Sequence, residues 1–204
     1  MNLIDAARLC EAAYGNTSWT PATPAPVPWN SWVNVDGIVG ALWSSPGMSI
    51  LALRGTTDTE DLIRDIDAVP ISVPGLGDVH SGFYAGIDAF FATVQPLLTG
   101  SVVVSGHSLG ASRAVLLGAK LCLAGKPPAQ ILGFEPAKVS ADAVLGQLLG
   151  NVNVQLTKNG GDIIPDLPEG LDYRHPVVLE LIGVPALPNL VDHEIANVLR
   201  SLGG

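Results

Sequence analysis

Between a strand-length apolar run, Ser101 to Ser105, and a helix-length one, Ala111 to Ala124, the chain passes through Gly106-His107-Ser108-Leu109-Gly110. No other passage constrains the fold as strongly. Glycines two residues before and two after the serine let strand and helix approach closely at a sharp turn. A buried strand that leads at once into a helix belongs to a sheet of mostly parallel strands covered by helices.

The rest of the chain fits that frame. Asn2 to Tyr14 is an amphipathic helix with Leu3, Ile4, Ala7, Cys10 and Tyr14 on one face and Asp5, Arg8 and Glu11 on the other. Thr17 to Trp32 is rich in proline, serine, threonine and asparagine and predicts a loop. Trp19, Trp29 and Trp32 lie in it, where they either line a binding surface or pin the loop to the core. Val33 to Trp43 and Ser49 to Leu53 predict a hairpin around Ser44-Ser45-Pro46-Gly47, and Glu60 to Ile66 a short helix. Ile71 to Val79 predicts a loop and Ser81 to Leu98 a helix. Strands are expected at Ile131 to Phe134, Asn151 to Thr157 and Val177 to Ile182, and helices at Ala141 to Leu149 and Glu194 to Leu202. The expected architecture is α/β, three layers around a mixed, mostly parallel central sheet. Residues 1–204 are expected to form one domain.

Composition narrows the function. Hydrophobic residues make up 48% and charged residues 14%, enough apolar surface to fold without staples. A net charge of −9 argues against nucleic acid as a partner and against binding anionic membranes by charge. No run of 18 apolar residues occurs, so contact with lipid is expected to be peripheral at most. Asp5, Arg8 and Glu11 stand where a secretory signal would need apolar residues. Cys10 and Cys122 lie on apolar helix faces and are expected to be free thiols. Four scattered histidines without ligand spacing imply no metal, and nothing implies an organic cofactor.

The chemistry centres on Ser108. A serine on a tight strand-to-helix turn stands clear of the main chain, with the helix N-terminus aimed where negative charge develops. Such a nucleophile needs a histidine base and a carboxylate to orient it, in the chain order serine, acid, histidine. Only His175 and His193 follow Ser108. His193, at the junction of a loop and the last helix, is favoured; His175 reads as a loop residue entering a strand. Asp162 follows a strand, at the sheet edge where active-site residues of open α/β sheets gather. Asp166 is its competitor, while Asp192, adjacent to His193, reads as a helix N-cap. The backbone N–H of Leu109, the residue after the nucleophile, is an oxyanion-hole donor. His107 and His80 read as packed, hydrogen-bonded structural histidines.

Four blocks in order resemble the class 3 lipases of the α/β-hydrolase superfamily. Leu53-Arg54-Gly55-Thr56, followed by Asp61 and Asp65, is similar to the family's R-G-T block. Val79-His80-Ser81-Gly82-Phe83 resembles its H-x-G-F block, and Gly106 to Gly110 its G-H-S-L-G elbow. Asn159-Gly160-Gly161-Asp162-Ile163-Ile164-Pro165 resembles the block that carries the acid, and Asp192-His193 stands where the family's histidine is expected.

The resemblance implies a lipase-like serine carboxylic-ester hydrolase working through Ser108, His193 and Asp162. Its substrate would be a small-molecule or lipid ester. The resemblance also makes Thr56 the second oxyanion-hole donor. The same machinery serves polysaccharide-linked acyl esterases and thioesterases, and a silent binding protein can share the scaffold. Departures from the family pattern are a weak lid, with only Leu62, Ile63 and Ile66 apolar between Thr57 and Ile66, Arg113 in the helix after the elbow, and Phe134-Glu135-Pro136 where small residues are usual.

Overall fold

The computed structural model describes residues 1–16, 31–57, 66, 69–170 and 172–204. Trp19, Trp29, the expected helix from residue 60 and nearly all of the expected lid lie outside them. A seven-stranded sheet forms the middle layer, in the order β1-β2-β3-β6-β7-β8-β9. β1 (Ser31–Val35), β2 (Ile38–Ser45) and β3 (Met48–Leu53) are antiparallel neighbours. From β3 onward, β6 (Ser101–His107), β7 (Gln130–Phe134), β8 (Asn153–Asn159) and β9 (Glu180–Ile182) pair in parallel. β4 (Pro70–Val73) and β5 (Gly77–His80) form a separate antiparallel pair.

Pleating splits the apolar strands between two cores, because successive side chains point to opposite faces. On one face Val103, Ile50, Ala52, Leu132 and Phe134 pack against helix α1 (Leu3–Ala12). The last helix lies on this same face. On the other, Val102, Val104, Leu51, Leu53 and Ile131 meet a larger helical layer. That layer comprises α2 (Ser81–Tyr84), α3 (Ile87–Val94), α4 (Leu109–Leu123) and α5 (Val144–Leu148). Burial on both faces is why β6 and β7 read as unbroken apolar runs rather than alternating ones. α1 lies close over β6 because Ala6, Ala7 and Ala13 present almost no side chain; Cys10 Sγ sits 3.5 Å from Ser105 Oγ. Both cysteines are free thiols.

Several elements differ from expectation. Val33 to Trp43 is not one strand. Asp36 and Gly37, both at positive φ, turn the chain back between β1 and β2, as a two-residue hairpin loop of type I′ requires. The expected loop at 71–79 is the β4–β5 hairpin. The expected helix at 81–98 breaks at Gly86, whose φ of 79° is left-handed, and resumes as α3 with Ile87, Phe90 and Val94 on its buried face. The helix expected from Ala141 begins only at Val144, because the Asp142 carboxylate accepts from the N–H groups of Asp78 and Val144. Of Val177 to Ile182, only Glu180–Ile182 pairs as a strand. The last helix, α6 (Ile195–Ser201), packs Val198 and Leu199 beside α1. No described helix is long and apolar enough to cross a membrane.

Candidate active site

β6 delivers Ser108 to the carboxyl edge of the sheet, at the N-terminus of α4. Its φ of 58° and ψ of −131° are a sharp turn outside both helix and strand. The two glycines make the turn sterically possible. A Cβ on Gly106 would lie 2.2 Å from the Gly110 carbonyl oxygen, and one on Gly110 would lie 2.3 Å from that of Leu53. The Ser108 N–H donates to the Phe134 carbonyl at 2.8 Å, and its own carbonyl accepts from Ala111 and Ser112. The N–H of Leu109 belongs to the first turn of α4, where no carbonyl of the helix can reach it.

Asp162 follows β8 and is fully buried. Its Oδ1 accepts from the Ile164 N–H, and its Oδ2 lies 2.7 Å from His193 Nδ1. A carboxylate only accepts, so Nδ1 carries the proton and Nε2 is left as an acceptor. Nε2 lies 2.8 Å from Ser108 Oγ. Burial raises the Asp162 pKa, but the contacts with His193 and then Glu135 outweigh it and hold the carboxyl below its usual range.

The competing candidates lie elsewhere. His175 Nε2 donates to the Pro165 carbonyl at 2.8 Å. Asp166 is exposed and paired with Lys158 at 2.5 Å. Asp192 is not a helix cap: Glu194 takes the position before α6. Asp192 instead accepts from the Gly161 N–H and the Asn189 side chain. Those contacts fasten the loop that carries His193 to the turn that carries Asp162.

Thr56 lies beside the elbow because of the residue before it. A Cβ at Gly55 would stand 2.6 Å from Tyr14 Oη, 2.7 Å from the His107 carbonyl oxygen and 2.9 Å from Ser108 Cβ. Only glycine lets the segment after β3 pass so near the serine. Thr56 and Thr57 then line a cleft of about 340 Å³ together with Tyr14, His107, His193 and Ile195.

His107 is structural, as its position beside the serine suggests. Its Nε2 faces the His193 carbonyl at 2.7 Å and must donate, so its Nδ1 accepts from the Tyr14 hydroxyl at 2.8 Å. Burial, reinforced by the neighbouring His193, pushes the imidazole pKa down to about 3. The ring is therefore a neutral strut tying the end of α1 to the loop of His193. His80 is similar. It stacks on Phe83, accepts from the Phe83 N–H and donates to the Ile66 carbonyl.

Sequence reasoning missed two residues. Tyr14 was only the last apolar position of a helix face. Glu135 was only a departure from a family pattern; it is buried, at positive φ, immediately after β7. Burial first, and then the neighbouring Asp162, raise its carboxyl well above the usual range. A charged residue directly after the buried run Leu132-Gly133-Phe134 was the available signal. Glu135, Asp162 and His193 bring three ligand-type atoms within 4.8 Å of one another. A cation among them would have to break the Asp162–His193 bond.

The central parallel sheet, the helices on both faces and the serine at the strand-to-helix elbow define the α/β-hydrolase fold. The sequence model of the class 3 lipases, described as Lipase (class 3), matches residues 50–171, more than half of the chain. This protein belongs to that family. Curated relatives named lipase, from Rhizopus niveus and Rhizopus oryzae, are each 29% identical over 153 residues, covering 63% of this chain. The match spans 37% of the length of those relatives. Among solved structures, a lipase from Rhizopus microsporus var. chinensis superposes with a TM-score of 0.74 at 23% identity. The superposition covers 88% of this chain and 73% of that one. The Rhizomucor miehei lipase in complex with its propeptide gives 0.71 at 21% identity, covering 88% and 67%.

Proposed function

We propose that this protein is a lipase-like carboxylic-ester hydrolase, built as one domain over residues 1–204, with Ser108, His193 and Asp162 as its triad. The observation that carries the reading is the unbroken chain of hydrogen bonds from Ser108 Oγ to His193 Nε2, at 2.8 Å, and from His193 Nδ1 to Asp162 Oδ2, at 2.7 Å. Family membership supports an ester as substrate.

Ser108 Oγ attacks the acyl carbonyl while its proton passes to His193 Nε2. The Asp162 carboxylate holds the ring in the tautomer that can accept that proton and stabilises the imidazolium that forms. The carbonyl oxygen, now negative, is held by the backbone N–H groups of Leu109 and Thr56. His193 gives the proton to the departing alcohol oxygen, leaving the acyl group on Ser108. Water then attacks the acyl-enzyme and gives a proton to His193, which returns it to Ser108 as the carboxylic acid leaves.

A fluorophosphonate probe tests the reading directly. It is expected to label the folded protein at Ser108 and to leave Ser108→Ala unlabelled. Folded wild-type protein that resists the probe and hydrolyses no member of a p-nitrophenyl ester series would defeat the proposal. That series also reads the acyl-length preference.

A further inference from the structure

Glu135 stands behind Asp162 and is not used by the steps above. The two side chains meet because both follow adjacent parallel strands, β7 and β8, at the same edge of the sheet. Glu135 takes up a left-handed conformation, φ 55°, that a glutamate rarely adopts. Its N–H donates to the Thr157 carbonyl, and its Oε2 accepts from the Asn159 N–H at 3.1 Å.

Its other oxygen, Oε1, is buried and meets no hydrogen-bond donor among the described residues. What it has nearby is a second carboxyl group: Asp162, Glu135 and His193 bring their ligand-type atoms within 4.8 Å of one another. The cation on the adjoining strand, Lys158, is occupied by exposed Asp166. His107, the other imidazole beside His193, is neutral and buried, so it adds no positive charge.

Two ionised carboxylates cannot stand together in such a place without a large repulsion. One proton between them removes it, and carried on Oε1 it turns that oxygen from an acceptor without a donor into a donor. Asp162 already accepts from His193 and from the Ile164 N–H. Among the described residues, Glu135 accepts only from Asn159. The proton therefore resides on Glu135.

We propose that Glu135 and Asp162 form a carboxylic acid–carboxylate pair that holds one proton and one negative charge, with Glu135 as a positioning residue that donates to Asp162. The pair follows from burial and contact alone. Its catalytic consequence rests on the triad reading above. The charge that supports His193 belongs to the pair, so it survives loss of either single carboxylate. In Asp162→Asn, Glu135 ionises and accepts from the N–H of the introduced amide. The carbonyl of that amide is then left facing His193 Nδ1–H, which preserves the useful tautomer at the cost of the hydrogen bond from the Ile164 N–H.

Infrared difference spectroscopy at about pH 7 tests the pair without any ester, since an ordinary glutamate is fully ionised there. Subtracting Glu135→Gln from wild type is expected to leave the C=O stretch of a protonated carboxylic acid. The glutamine side chain can still accept from Asn159 and donate to Asp162, so the variant keeps the local geometry. Asp162→Asn is a second route to the same band: there the acid band is expected to vanish, with Glu135 appearing as a carboxylate. A wild-type spectrum in which Glu135 contributes only carboxylate bands overturns the proposal, whatever the protein hydrolyses.

Activity supplies the other arm. Glu135→Gln is expected to keep kcat within about threefold, because the donor is retained. Asp162→Asn is expected to lose about 10- to 100-fold, and the double variant on the order of 10⁴, the loss typical when a triad histidine is held in the wrong tautomer. KM is expected to stay near the wild-type value throughout. A single Asp162→Asn variant as inactive as the double variant would show that Glu135 cannot carry the charge.

Discussion

Ser108 and His193 are joined by a 2.8 Å hydrogen bond across which the proposed proton transfer runs, so these two are expected to fail as a unit rather than one by one. Ser108→Ala and His193→Ala should each lower ester turnover by at least about 10³-fold, and combining them should add little. Turnover by either single variant near the wild-type rate would sink the assignment, provided far-ultraviolet circular dichroism shows the fold intact. His107 supports the same histidine from behind, and its protonation bears on stability. Its folded pKa is pushed down to about 3 from 6.5 by burial. Between those values the unfolded chain binds a proton that the folded protein refuses. The contribution of His107 is thus fully present above pH 6.5 and is lost as pH falls toward 3. Glu135 acts with the opposite sign above 4.5, because its folded form keeps a proton that the unfolded chain releases. The two slopes offset in wild type, and His107→Gln should separate them. Urea unfolding at about pH 6 and about pH 5 should show the variant gaining stability relative to wild type by up to about 1.4 kcal/mol per pH unit. An unchanged difference between the two proteins would mean that His107 is not neutral and buried in the way its contacts imply. The three side chains that the structure brings together, Ser108, His193 and Asp162, could be picked out in the sequence because chain order and the elbow left few candidates. Glu135 was not, because nothing in a one-dimensional pattern says that the ends of β7 and β8 bring two carboxyl groups together.

The strand–elbow–helix unit is tight enough that its neighbours must be glycine, and this ties β3 to β6. Gly55 has the closest approach to the working atoms, with Tyr14, His107 and Ser108 all inside 3 Å of where its Cβ would stand. Two of those contacts are with backbone or a short side chain, which cannot swing aside. Gly55→Ala should therefore destabilise by about 1–3 kcal/mol, as overpacking does, and also push Thr56 away from the elbow. The expected signature is a lowered urea midpoint together with a fall in kcat larger than any rise in KM. Wild-type stability and turnover in this variant would mean that Gly55 does not set the Thr56 position. At this scale the sequence was readable where a single periodicity ran unbroken, as in β6, α4 and β7. It misled where one short signal should have outweighed a long one. Asp36-Gly37 is a hairpin dipeptide inside what reads as a continuous strand, and Gly86 interrupts what reads as a continuous helix. The β4–β5 hairpin read as a loop because Pro74, Gly75 and Gly77 dominate so short a segment. Its strands are stabilised by packing on the core through Leu76 and Val79, which local propensity does not record.

Across the whole molecule, the apolar surface is unevenly spread. Val178, Leu181, Val184, Leu187 and Val191 are exposed, Val178 by 93% and Leu187 by 86%, all within the stretch that ends at His193. This stretch is fixed to the sheet edge that carries the proposed triad: Asn189 bridges to Asp162, and Asp192 holds the Gly161 N–H. Among the described residues, nothing covers its apolar side chains. The lid expected between Thr57 and Ile66 has only Leu62, Ile63 and Ile66 to bury, against Asp58, Glu60, Asp61, Arg64 and Asp65. A large rate jump at an oil–water interface requires a wide apolar face that is hidden in one state and taken up in the other. An exposed apolar rim gives adsorption instead, with each side chain worth up to roughly 1.5–3 kcal/mol if fully buried in lipid. A net charge of −9 opposes that adsorption on anionic surfaces and leaves neutral ones open. Turnover of tributyrin, followed from solution through saturation into emulsion, is therefore expected to rise without a several-fold step at the phase boundary. Leu187→Ser combined with Val184→Ser should lower turnover of the emulsion while leaving hydrolysis of a soluble p-nitrophenyl ester within about twofold, because neither side chain belongs to the hydrogen-bonded site. A several-fold step that survives this pair of substitutions but disappears with Leu62→Ser and Ile63→Ser would mean that the lid expected from the sequence, not the rim, governs access to lipid.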